Sequence, residues 1–163
     1  MLLLINLYRV IDNLIKLVEN KYEYLKDIYL LTQQQTEVIE ESDVEALSEL
    51  IDKKQQKIDF VQGLDSQFEA ITDDLKTIYE IKSLDELEIQ CENIGVLKNI
   101  ISKVTEILHQ IIQIENVNKE KMNFAKHQLE IKMSNAKTGK TAVRQYSGIS
   151  TYADAVFFDK KIR

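Results

Sequence analysis

Two histidines, one cysteine and twenty-seven carboxylates are the groups in this 163-residue chain that could do chemistry, and their spacing argues against it. His109 and His127 lie eighteen residues apart in one helical stretch. The helical rise makes that about 27 Å, so the two cannot share a metal. Glu106 and His109 have the Glu-x-x-His spacing of di-iron bundle sites. Such a site also needs a second pair and two further inward glutamates, and no second pair occurs. A phosphotransfer role would need an exposed histidine in the centre of a compact bundle, so both histidines are read as exposed polar residues flanking a seam. Cys91 falls in an apolar seam position and reads as a buried thiol, not a nucleophile. No glycine-rich phosphate loop or nucleophile elbow occurs. The expectation is a protein that is not an enzyme and holds no cofactor and no metal.

The elements that carry these residues follow from what the chain lacks. It has no proline and four glycines, too few turn residues for a sandwich, a barrel or a doubly wound sheet. Its 44% apolar content is enough for one core, and its Leu, Ile, Lys, Glu and Gln favour long helices. A single cysteine excludes an internal disulfide and suits a reducing compartment. The net charge of −6 argues against nucleic acid as a partner. No eighteen apolar residues run together, and the opening stretch lacks the basic start of a signal peptide, so a cytoplasmic, non-membrane protein is expected.

Apolar spacing predicts three helices, over about 3–40, 43–81 and 84–133. In the first, Leu4, Leu7, Ile11, Leu14, Val18, Leu25, Ile28 and Ile39 form a heptad seam, with Lys21 in one inward slot and a polar stretch at Thr32 and Gln35. The second carries Leu47, Leu50, Ile51, Ile58, Val61, Leu64, Phe68, Ile71, Leu75 and Ile78, and tolerates Gly63 at about 1 kcal/mol. The third continues through Leu87, Cys91, Ile94, Leu97, Ile101, Val104, Leu108, Ile111 and Ile112, weakens over residues 115–121, and revives at Met122. Ser42 with Glu45, and Ser83 with Glu86, match capping boxes that start the second and third helices. Charge runs such as Lys53-Lys54 and Lys119-Glu120-Lys121 read as solvated faces.

Short reversals predict an all-α, extended antiparallel three-helix bundle, coiled-coil-like, over residues 1–133. The third helix outlasts the others, and its overhang is expected to begin near Lys119. Met122, Phe124, Ala125, Leu129 and Met133 then lack an intramolecular partner and are the expected substrate-binding residues, with Met122, Ala125, Leu129 and Met133 along one stripe. The alternative is that the methionines pack against the other helices or a second copy.

Residues 134–163 obey other rules. They hold two of the four glycines, four of the twelve aromatics, and six Lys/Arg against two Asp/Glu, while the first 133 residues hold fifteen against twenty-five. This basic segment is expected to be a flexible tail that folds on binding, with Tyr146, Tyr152, Phe157 and Phe158 as docking residues.

Two segments carry a resemblance. Residues 41–50, Glu-Ser-Asp-Val-Glu-Ala-Leu-Ser-Glu-Leu, resemble the turn between the first two helices of the FlgN family of flagellar type III export chaperones, with Ser42 where that family has glycine. Gly139-Lys140, Ala142, Tyr146, the small-residue run 147–151 and Phe157-Phe158-Asp159-Lys160-Lys161 are similar to its C-terminal segment. The resemblance implies a cytosolic chaperone, monomer or weak dimer, without enzymatic activity or cofactor. It would bind the C-terminal helices of hook-associated proteins, prevent premature assembly and present them to the cytosolic part of the export gate. The alternatives are a FliT-like chaperone for the filament cap and a coiled-coil adaptor.

Overall fold

The computed structural model describes residues 2–87 and 91–136, and the side chains of residues 6–87 and 91–135. Three long helices account for nearly all of them: α1 Leu2–Glu40, α2 Val44–Tyr79 and α3 Asn93–Ala136. One turn of 3-10 helix, Leu84–Leu87, lies between α2 and α3, and no strand occurs among the described residues. The all-α expectation holds.

Paired side chains fix the directions. Lys57 meets Asp27 at 2.9 Å and Lys21 meets Asp65 at 2.7 Å, so α2 runs antiparallel to α1. Asn93 reaches the Tyr8 carbonyl at 3.1 Å and Asn118 the Thr32 carbonyl at 3.0 Å, so α3 runs parallel to α1. Backbone approach is close between α1 and each of the others, which makes α1 the central helix.

The heptad reading of the core is accurate along α1. Leu7, Ile11, Leu14, Val18, Leu25, Ile28 and Ile39 are buried; the side chain of Leu4 lies outside the described residues. Leu47, Ile51, Ile58, Val61 and Leu75 face them from α2, with Ile94, Leu97, Val104, Ile111 and Met122 from α3. Ile78, Ile101 and Ile112 are instead exposed, because they fall off the inward stripe of their helices. In its inward slot Lys21 pairs with Asp65.

The first reversal is placed as expected but capped differently. Ser42 N–H donates to the Ile39 carbonyl at 3.1 Å and Asp43 N–H to the Val38 carbonyl at 3.0 Å, a Schellman closure of α1. It needs a left-handed residue, and Ser42 takes that role with φ 58°. A residue so placed cannot also be an extended N-cap. Asp43 caps α2 instead, its carboxylate accepting from Ala46 N–H at 3.0 Å.

The second connection is longer than the sequence suggests. Glu80 ends α2 in the left-handed conformation, with φ 52°. Ser83 and Glu86 do not close the reciprocal box: Ser83 Oγ accepts from Asp85 N–H at 3.3 Å, and Glu86 Oε1 from Lys82 N–H at 3.4 Å. What they start is the 3-10 turn, not α3, which begins at Asn93 and not near residue 84. Leu87 and Cys91 reach the core on either side of that break. Asn93, itself buried, holds the junction by donating to α1 and accepting from the Cys91 thiol.

Candidate docking groove

Among the described residues, only α3 continues past the first reversal. Lys121 pairs with Glu40, the last residue of α1, so α3 at that point is level with the turn. The helix then runs on to Ala136, roughly 20 Å further at 1.5 Å per residue. Between this projecting end and the turn lies an open cavity of about 770 Å³. Ile39 and Val44 wall it on the turn side, and Phe124, Ala125 and Leu129 on α3. Glu40, Glu120, Lys121 and Lys132 supply charges of both signs at its rim. Phe124 is 66% exposed, a large apolar cost unless something covers it.

Three of the five expected substrate-binding residues therefore meet at one groove. Met122 does not: it is buried in the core, packed within the bundle. Met133 is half-buried on the projecting end and is not part of the groove wall. Sequence reasoning missed the opposite wall, Ile39 and Val44. Its signal is the pair of apolar residues bracketing the turn. Tyr146, Tyr152, Phe157 and Phe158 lie outside the described residues.

The projection begins after Met122, not near Lys119, because Glu115, Asn118 and Met122 are inside the bundle. Thr32 and Gln35 of α1, Lys54 of α2, and Glu115 and Asn118 of α3 are all buried at one level. Lys54 Nζ donates to Gln35 Oε1 at 2.8 Å and to Glu115 Oε1 at 2.9 Å. Asn118 accepts from Thr36 Oγ1 at 2.6 Å. Lys53 is exposed as expected, but its neighbour Lys54 is 0% exposed. Lys54 lies three residues after Ile51 and four before Ile58, the seam spacing, and that periodicity overrides the bias of lysine for water. Burial pushes the Lys54 ammonium below its ordinary value, opposed by Glu115. Burial likewise pushes the Glu115 carboxyl up, opposed by Lys54.

The residues first weighed for chemistry stand apart from this site. His109, His127 and Glu106 are exposed. Cys91 is buried, and burial raises its thiol, which disfavours the reactive thiolate. Among the described residues no cluster of three His, Cys, Asp or Glu side chains could hold a metal. No helix there is long and apolar enough to cross a membrane.

Three long helices without a strand among the described residues define a fold class, that of all-α helical bundles. The comparison with known families narrows it: the family model described as FlgN protein matches residues 1–149. The chain belongs to the FlgN family, the flagellar type III export chaperones. No curated protein and no solved structure matches it.

Proposed function

We propose that this chain is a cytosolic chaperone for hook-associated proteins, which takes their C-terminal helical region into the groove beside Phe124, Ala125 and Leu129. Held there, the substrate helix is kept from assembling early and is carried to the cytosolic part of the export gate. The carrying observation is the groove itself, with Ile39 and Val44 on one side and α3 on the other. An amphipathic helix laid in it removes apolar surface from water on both partners, worth about 25 cal/mol per Å² before ordering costs. Charges of both signs at the rim suit a helix whose polar edges are also mixed.

Calorimetric titration with a hook-associated C-terminal peptide tests this. Leu129→Asp puts a charge in the groove and should abolish binding with helicity retained, because Leu129 lies beyond the core. Leu14→Asp, in the fully buried seam, should instead unfold the bundle. Unchanged affinity in Leu129→Asp would remove the groove as the substrate site.

A further inference from the structure

The α1–α2 hairpin and α3 are held in register by different means. A turn at residues 41–43 leaves α1 and α2 no freedom to slide. The connection from α2 to α3 is longer, residues 80–92, and its hold on α1 is the Asn93 hydrogen bond to the Tyr8 carbonyl, which a slide must also break. A seam of threes and fours looks alike after a seven-residue slide. On α3 the alternative is available: Met122, Ala125 and Leu129 would take the levels now held by Glu115, Asn118 and Met122. That slide would draw the groove's own α3 wall into the bundle. Apolar burial at this level favours it.

The polar layer opposes it. Lys54 Nζ is sealed from solvent and placed between Gln35 Oε1 and Glu115 Oε1, at 2.8 and 2.9 Å. Asn118 uses both ends of its amide on α1, donating to the Thr32 carbonyl and accepting from Thr36 Oγ1. After a slide the buried ammonium would face the Met122 thioether, and Asn118 would leave both partners. Gln35 Nε2 is buried without a hydrogen-bond partner, so the layer is not arranged for greatest stability. We propose that Gln35, Lys54, Glu115 and Asn118 are positioning residues that fix the axial register of α3 and so keep its apolar end outside the bundle, beside the turn. A polar set in an apolar seam trades stability for a single register. The functional consequence rests on the groove reading above; the register itself does not.

The test uses the full chain with spin labels at Asn20 and His127, both exposed, in a Cys91→Ala background. Pulsed dipolar spectroscopy of this protein should give one narrow distance. Replacing the layer by Gln35→Leu, Lys54→Met, Glu115→Leu and Asn118→Leu should add a second population. That population should be shorter by up to about 10 Å, the rise of seven residues. Peptide affinity should fall by the fraction slipped. If the fourfold variant loses helicity, Lys54→Met with Glu115→Met carries the same test. A single unchanged distance in a folded variant overturns the proposal. If the parent protein fails to bind peptide while the second distance appears, the groove reading fails and the register assignment stands.

Discussion

Ser42 and Asp43 are adjacent, yet one ends a helix and the other starts the next. Ser42 is left-handed with φ 58°, while Asp43 is extended with φ −84° and ψ 90° and accepts from Ala46 N–H. A Cβ in the left-handed region costs about 1–2 kcal/mol, and glycine avoids that cost. Ser42→Gly should therefore stabilise the protein by about 1 kcal/mol, read as a higher urea midpoint at unchanged slope. Asp43→Ala should cost about 1 kcal/mol through the lost cap. A fall in stability for Ser42→Gly would show that the serine side chain contributes more than its backbone strain removes.

The Lys54–Glu115 pair sets a second expectation. Lys54→Met alone leaves Glu115 buried without its cation and should cost about 3–5 kcal/mol, whereas Lys54→Met with Glu115→Leu should be neutral or stabilising. The pH dependence has a definite sign. Glu115 is raised on folding, so its contribution is fully present below 4.5 and is lost as pH rises. Lys54 is lowered on folding, so its contribution is present above 10.5 and is lost as pH falls. The advantage of the double variant should thus be largest near neutral pH and shrink towards both ends. Urea midpoints at acid, neutral and alkaline pH check this, and a flat difference would contradict it.

Gly63 lies inside α2, exposed, and a Cβ built there meets nothing within 4 Å. Its conformation is helical, so alanine can adopt it. Gly63→Ala should stabilise by about 0.5–1 kcal/mol through the unfolded chain's lost freedom. Thermal unfolding measures it, and a destabilised variant would show that the bare backbone there has another use.

Periodicity made the bundle legible. Inward positions on α1 from Leu7 to Ile39 are buried where the seam puts them, Thr32 and Gln35 included and Lys21 excepted. What residue type obscured was Lys54, whose charge suggests water although its spacing from Ile51 and Ile58 is that of the core. The capping chemistry at Ser83 and Glu86 was legible as a start, but such signals encode only a local turn, and here that turn is 3-10. Phe124, Ala125 and Leu129 were visible as apolar residues past the polar stretch. Ile39 and Val44 were not, because their facing α3 depends on axial alignment, which side chains from three helices set together.

Because α1 alone approaches both other helices closely, local opening should follow an order. Amides in the middle of α1, around Leu14 to Ile28, are shielded from two sides and should exchange with solvent only on global unfolding. The hairpin contacts of α1 with α2, such as Asp27 with Lys57, close shorter loops than the contact of Tyr8 with Asn93. The hairpin should therefore outlast the attachment of α3 in native-state hydrogen exchange. Uniform protection along α3 to residue 136 would refute that order. The wall of the groove on α3 should then open more readily than the hairpin, and adjust without disturbing it.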